Sequence, residues 1–232
     1  MINVPEFDQY ADNYIAMHQQ SVAFSGCDLD YFAEYKTAYA AKCFRPFALP
    51  DDSILDFGCG NGTSIPFFAK YLPKVPLVAA DVSAKSLKNA EARFGSNPVY
   101  SHIMDNRLDL PTGSVGMAFT SCVFHHIKPE EHLMWLAELH RVVRPGGQLL
   151  IFEHNPMNFL TRYAVAKCAF DKDAILLNAK TLSNRIGESG WQPINTRYHV
   201  FFPGFMKKLR SLEEYLAWCP LGGQYSVLAT KP

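Results

Sequence analysis

Residues 53–63 read SILDFGCGNGT, a short apolar run that leads directly into a loop containing three glycines. These glycines permit positive φ where a strand turns into a helix, and they let the backbone approach a ligand closely. A second apolar run, residues 75–80, ends at Asp81. An acidic residue about 20 positions beyond a glycine loop is the spacing that grips ribose hydroxyls. The stretch therefore predicts an α/β domain with a nucleoside site.

The third glycine separates two kinds of nucleoside cofactor. A dinucleotide fingerprint, G-x-G-x-x-G, needs glycine at position 63, where this chain has Thr63. The pattern here is D-x-G-x-G-x-G, and with Asp81 it resembles the S-adenosylmethionine (SAM) motif of class I methyltransferases. A NAD(P)-dependent Rossmann oxidoreductase is the second interpretation, disfavoured by Thr63 and by the lack of a Tyr-x-x-x-Lys arrangement after the fourth predicted strand. A non-catalytic partner protein of the same fold is the third interpretation. Such a protein would be expected to lose the glycine loop and Asp81, and both are intact here.

The next hundred residues extend the resemblance. Strands are predicted at 99–104, 116–122 and 148–152, and the segments FHHI (124–127) and RVVRPGG (141–147) resemble the signature of the same family. Helices are predicted from Pro129, at 181–188 and at 206–218, and the last strands at 194–202 and 224–230. The resemblance implies an α/β fold, a Rossmann-like, doubly wound, seven-stranded, mostly parallel sheet with an antiparallel last strand.

The resemblance also divides the chain. Residues 1–47 are expected to form an N-terminal helical lid over the cofactor, and residues 48–232 the SAM-binding domain. Within that domain, residues 155–180 are expected to form a substrate-facing insertion. The alternatives are that the aromatic residues of the first segment bury against the sheet edge, and that the insertion is a helix capping the sheet.

Several residues are assigned to the methionine end of SAM by the same resemblance. Asp56 and the backbone at Gly58 and Gly60 are expected to hold this end, and Ser121 to present backbone beside it. From the lid, Tyr14 would cover the methionine part. Lys36 would neutralise its carboxylate.

The adenosine end is assigned in the same way. Asp81 is expected to hold the ribose hydroxyls through charge-assisted hydrogen bonds. Val82 would lie against the adenine ring, and Asp105 or Asn106 would contact the edge of the ring. Because aspartate and asparagine also favour turns, a purely turn-forming role is the alternative for the last two.

Histidines stand at the carboxyl ends of two predicted strands, where open parallel sheets bind ligands. Imidazole titrates near neutrality, so His126 and His154 are candidates for the base that deprotonates the acceptor, with packing as the alternative. No metal is predicted. Adjacent residues of one strand point to opposite faces, and His125, His126 and Glu153 lack a recognisable ligand spacing.

Composition bounds the function. The 232 residues include 22 Lys and Arg and 22 Asp and Glu, so no strong attraction to nucleic acid is expected. The six cysteines include no C-x-x-C pair, a pattern that is typical of a reduced, cytoplasmic protein. No apolar run approaches the length of a membrane span. The sequence predicts a methyltransferase that moves the methyl group of SAM to an oxygen or nitrogen of a small molecule by in-line displacement, releasing S-adenosylhomocysteine. The acceptor is expected to be apolar, glycosidic or lipid-linked, and the oligomeric state is left open.

Overall fold

The computed structural model describes residues 28–168 and 171–232. Within these ranges, seven strands form one sheet in the order β3-β2-β1-β4-β5-β7-β6. The strands are β1 (Ile54–Phe57), β2 (Leu77–Asp81), β3 (Val99–His102), β4 (Val115–Ser121), β5 (Val143–His154), β6 (Gln192–His199) and β7 (Gln224–Thr230). The α-helices are α1 (Leu29–Phe44), α2 (Ile65–Tyr71), α3 (Ala84–Phe94), α4 (His132–Val142), α5 (Phe159–Lys167), α6 (Ala179–Glu188) and α7 (Glu213–Leu216). Short 3-10 helices cover Arg45–Phe47, Phe124–His126, Pro129–Glu131 and Gly204–Leu212.

The central strands are buried along their whole length, which explains why they read as continuous apolar runs. Every residue of β1 and β2 is buried. Helices α4 and α6 cover one face of the sheet through Trp135 and Ile186, while α1 and α2 cover the other through Phe44 and Phe68. Strands with helices on both faces are typical of parallel sheets in α/β proteins. The part of the predicted lid that forms α1 thus packs on the sheet.

Strand directions locate the functional edge. β1 pairs in parallel with both β2 and β4, and β7 runs antiparallel to both β5 and β6. The strand order reverses between β1 and β4, so a crevice opens there at the carboxyl ends of the strands. The predicted fold, including the antiparallel strand at one side of the sheet, is confirmed.

Four predicted elements differ from the structure. β6 ends at His199 rather than at residue 202, because Val200 adopts a positive φ of 62° and its carbonyl accepts a hydrogen bond from the Gly223 amide. In place of a helix at 206–218, the chain forms the 3-10 helix Gly204–Leu212, which is kinked at Met206, followed by the single turn α7. The helix predicted from Pro129 starts with a 3-10 turn, and β5 begins five residues earlier than predicted.

No helix among the described residues is long and apolar enough to cross a bilayer.

Candidate active site

The glycine loop leaves one of its sides open. Gly58, Gly60 and Gly62 all have positive φ. A Cβ atom at Gly58 would lie 2.5 Å from a methyl of Val123, so this glycine allows the loop to pack against the segment after β4. A Cβ atom at Gly60 would meet nothing within 4 Å. The backbone at Gly60 therefore faces space that a ligand can occupy.

Asp81 fixes the glycine loop, although its side chain is buried and does not line the cavity described below. Its Oδ2 accepts a hydrogen bond from the Gly60 amide at 2.8 Å, and its Oδ1 accepts one from the Ser83 amide at 2.8 Å. A carboxylate has about four acceptor positions, and these two backbone amides occupy two of them. The interaction couples the end of β2 to the middle of the glycine loop.

Asp56 is a buried carboxyl group at the end of β1. It accepts a hydrogen bond from the Ser64 hydroxyl, a residue at the start of α2. Burial raises the pKa of Asp56 to about 7, and the nearby negative charge of Asp81 adds to the shift. A cation placed beside this carboxyl group would favour its ionised form and lower its pKa.

Lys36 supplies a positive charge on the other side of the crevice. It projects from α1, is 6% exposed, and donates to Ser121 Oγ at 2.8 Å. Its Nζ also lies 3.3 Å from Sγ of Cys122. Burial alone would raise the pKa of the Cys122 thiol, but the charges of His154 and Lys36 bring that pKa down to about 6.

A cavity of about 440 Å³ joins these groups. Six of the residues predicted for the site line it: Lys36, Asp56, Gly58, Gly60, Ser121 and His154. Its remaining wall is mostly apolar and is formed by α1, α5 and residues 200–205, with Leu160 and Phe201 among the lining side chains. The volume is typical of a site for a small molecule.

Other predicted residues lie outside the cavity wall. Val82 follows Asp81 directly and is 39% exposed. Asp105 and Asn106 are exposed, have φ of 51° and 56°, and form the turn between the bridged residues Met104 and Arg107. The turn-forming role considered for them is therefore observed. Tyr14 lies outside the described residues.

The histidines do not lie on one strand, as the sequence analysis assumed. β4 ends at Ser121, and His125 and His126 belong to the 3-10 helix that follows. Their rings are 4.1 Å apart, and the ring of His154 lies 5.1 Å from that of His125. The premise that adjacent histidines point to opposite faces was therefore wrong.

Two buried carboxylates hold this histidine cluster. Oε2 of Glu153 lies 2.6 Å from Nδ1 of His125, and Oδ1 of Asp171 lies 3.2 Å from Nε2 of His126 and 3.6 Å from Nε2 of His125. Burial opposes the charged imidazolium, but Glu153 and Asp171 raise the pKa of His125 to about 10. Burial lowers the pKa of His126, although Asp171 opposes that shift.

The donor atoms of His125, His126 and Asp171 lie within 4.8 Å of one another, close enough to share a metal ion. Because Glu153 and Asp171 raise the pKa of His125, they favour an imidazolium between the two carboxylates. Metal binding would require His125 to lose the proton on Nε2.

Several cavity residues were missed by the sequence analysis. Cys122 and Gln224 line the cavity but come from two distant segments, whereas Asn158 belongs to the segment that was predicted to face the substrate. Gln224 accepts a hydrogen bond from the Tyr35 hydroxyl of α1, and this contact ties β7 to that helix. Only Cys122 carried a local signal, because it follows the predicted Ser121.

A Tyr-x-x-x-Lys spacing was also overlooked. Tyr163 and Lys167 have it on α5, after the fifth strand. Neither side chain lines the cavity; Tyr163 is 56% exposed, and Nζ of Lys167 lies 5.8 Å from the centroid of its ring. This pair does not face the glycine loop as a hydride-transfer site requires.

Comparisons with known proteins agree with this geometry. Residues 54–147 match the family model described as a methyltransferase domain. A malonyl-[acyl-carrier protein] O-methyltransferase from Alcanivorax borkumensis is 32% identical over 159 residues, which cover 67% of this chain and 44% of the relative. The chain spans about half the length of the curated relatives it matches, or less.

Solved structures show the same fold at low identity. A SAM-dependent methyltransferase from Thermotoga maritima, described as a possible histamine N-methyltransferase, has a TM-score of 0.66 at 17% identity and covers 97% of this chain and 98% of its own. A putative methyltransferase from Haloferax volcanii, solved in complex with a methyltransferase activator, has a TM-score of 0.69 at 14% identity and covers 98% of each chain. Residues 54–147 are thus a methyltransferase domain, and the sheet around them has the fold of SAM-dependent methyltransferases.

The residues present fit the family's cofactor. The methionine end of SAM carries an ammonium and a carboxylate, and the cavity offers a carboxyl group at Asp56 and an ammonium at Lys36. The open side of Gly60 provides room for close approach to the backbone. Charge and space both suit the ligand.

Proposed function

We propose that the protein transfers the methyl group of SAM to an oxygen or nitrogen of a small-molecule acceptor. The observation that carries this proposal is a continuous cavity, which extends from the charged groups beside the glycine loop to an apolar wall. SAM supplies a methyl group already activated by a sulfonium. The protein has to align the acceptor in line with the methyl–sulfur bond and exclude water.

Within this proposal, two oppositely charged side chains hold the two charged groups at the methionine end of SAM. Asp56 accepts from the ammonium, and Lys36 binds the carboxylate. Asp81, whose carboxylate accepts from the backbone amides of Gly60 and Ser83, also receives the ribose hydroxyls. Val82 covers the adenine, and the turn at 105–106 borders its edge.

The acceptor end is the apolar wall, to which Asn158, Leu160 and Thr161 of the 155–180 segment contribute. This wall favours an apolar or lipid-linked acceptor over a highly charged one. The name of the Alcanivorax relative favours an oxygen nucleophile. His154 is better situated than His126 to contact the acceptor, because only His154 lines the cavity.

We also propose that the protein works in the cytoplasm. The five cysteines among the described residues are all free thiols, which suits a reducing compartment.

Ligand titration tests the proposal. Calorimetry is expected to detect SAM and S-adenosylhomocysteine binding and no NAD binding. Gly60→Leu should abolish SAM binding by filling the open side of the loop. Gly95→Leu is the matched control, since Gly95 also has positive φ and also has nothing within 4 Å of its Cβ position, but does not line the cavity. NAD binding without SAM binding, or equal SAM affinity in both variants, would refute the proposed function.

A further inference from the structure

The cavity opens onto an unusually apolar surface. Large side chains there are exposed: Phe159 by 75%, Phe205 by 83%, Tyr215 by 77% and Trp218 by 77%. We call these four, with Met157 and Leu221, the apolar rim. Exposed patches of this kind on a protein surface mark interaction sites.

Hydrogen bonds join the two segments that carry the apolar rim. Nδ2 of Asn155 donates to the carbonyls of Pro220 and Gly222, at 2.9 and 2.7 Å, and Nδ2 of Asn158 donates to the carbonyl of Leu221 at 2.7 Å. The start of α5 and residues 220–222 are thus held side by side.

The same surface is continuous with the cavity. Leu160 and Phe205 both line the cavity wall, and both are exposed. A molecule lying on the apolar rim therefore has an apolar route into the site.

Basic residues accompany this surface. Residues 156–168 and 203–221 contain five Lys and Arg and two Asp and Glu, in a chain whose overall formal charge is zero. Glu213 accepts hydrogen bonds from the amides of Phe201 and Phe202, and Glu214 pairs with Lys42 at 3.4 Å. Lys207 and Lys208 are both exposed.

We propose that the apolar rim docks on an anionic lipid surface and that the acceptor enters the cavity from the lipid. In the headgroup region of such a surface, aromatic rings bury apolar area, and exposed lysines close to them in sequence, as Lys207 and Lys208 are to Phe205, meet anionic lipids. A second copy of this chain fits less well, because a two-fold contact through this surface would bring the Lys207 and Lys208 side chains of both copies into one interface. The route of the acceptor rests on the proposed function; the docking itself does not.

Vesicle co-sedimentation of the full chain tests the docking. The protein is expected to bind phosphatidylcholine vesicles containing about 30 mol% phosphatidylglycerol at least about tenfold more tightly than pure phosphatidylcholine vesicles. Binding should weaken in about 1 M salt, where charges are screened beyond about 3 Å.

Double variants test whether the apolar rim and the nearby lysines make the contact with the vesicle. Tyr215→Ser with Trp218→Ser, and Lys207→Glu with Lys208→Glu, should each weaken vesicle binding about tenfold or more. The controls are Phe47→Ser, an exposed aromatic residue outside the apolar rim, and Lys74→Glu with Lys88→Glu, two exposed lysines outside it.

Three outcomes would overturn the docking proposal: no preference for anionic vesicles, equal losses in the control variants, or a dimer in light scattering that Tyr215→Ser with Trp218→Ser dissociates. Calorimetry with SAM on the same variants separates the two proposals. Weaker vesicle binding in the rim variants with normal SAM affinity supports the docking, whereas absent SAM binding in the wild type counts against the proposed function alone.

Discussion

Glu153 and His125 form a buried pair, with Oε2 of the carboxylate 2.6 Å from Nδ1 of the imidazole. The other oxygen of Glu153 accepts hydrogen bonds from the amides of Val123 and Phe124 at 3.0 and 2.7 Å. One carboxylate at the end of β5 therefore fixes the backbone after β4, which forms part of the cavity edge. The pair links the fold to the site.

Glu153→Gln is expected to destabilise the protein by about 3 to 5 kcal/mol, as breaking buried ion pairs does. An amide accepts hydrogen bonds only at its oxygen, so its NH₂ group would face either the backbone amides or His125. Urea unfolding measures the loss, and Glu130→Gln, an exposed glutamate, is the control. Equal stability of the two variants would contradict the structural role of the pair.

The same pair predicts a pH dependence. The pKa of His125 is raised to about 10 from an ordinary value of 6.5, so its stabilising effect is complete below about 6.5 and is lost as pH rises through about 10. Wild-type stability should fall across this range, and Glu153→Gln should flatten the fall. A curve of the same slope in both proteins would exclude His125 as its source.

Asp56→Asn is expected to raise stability while weakening SAM binding. Because the folded-state pKa of Asp56 is raised to about 7, its carboxyl group costs free energy increasingly as pH rises from about 4 to about 7. The amide has no such cost, and the gain above pH 7 should be about 1 to 3 kcal/mol. Loss of the anion should reduce SAM affinity by about 1.5 to 3 kcal/mol.

Thermal unfolding at pH 5 and pH 8 and calorimetry with SAM measure the two effects. Asp109→Asn, at an exposed position, should change neither. A variant that binds SAM normally would remove Asp56 from the cofactor site.

Most of the sheet could be predicted from local sequence, because each buried strand reads as a continuous apolar run between loops. The conformation of residues 200–223 could not be predicted in this way. Val200 is β-branched and adopts a positive φ that few such residues take, so no local pattern marked the end of β6 there. The kink at Met206 has no signal of its own either.

The residues of the site also differ in whether local sequence could predict them. Asp56, Gly58 and Gly60 lie within one motif, and the residues that sequence reasoning assigned there do line the cavity. Asp171 is separated by 45 or more residues from the histidines that it contacts, and only the folded chain brings them together. Contacts made across the sheet leave no spacing in the sequence.

The histidine cluster is expected to function without a metal ion. Since the imidazolium of His125 already neutralises charge between Glu153 and Asp171, an added cation would have to displace a proton. Elemental analysis of the purified protein should find zinc far below one equivalent, and a chelator should leave the unfolding temperature unchanged. Stoichiometric metal, together with a lower unfolding temperature after chelation in wild type but not in Asp171→Asn, would reverse this expectation.

The final prediction separates the two candidate bases. His154 lines the cavity, whereas His126 is held by Asp171 outside the cavity wall. If the His154 imidazole removes the acceptor's proton, His154→Ala should lower turnover by about 10²- to 10⁴-fold at neutral pH, with SAM affinity nearly unchanged. The loss should shrink as pH rises, because the acceptor then deprotonates unaided. His126→Ala should instead lower stability and leave the pH profile of turnover as in wild type. The reverse assignment, with the pH-dependent loss in His126→Ala, would make His126 the base, and a loss in neither variant would leave alignment of the acceptor as the whole of the catalysis.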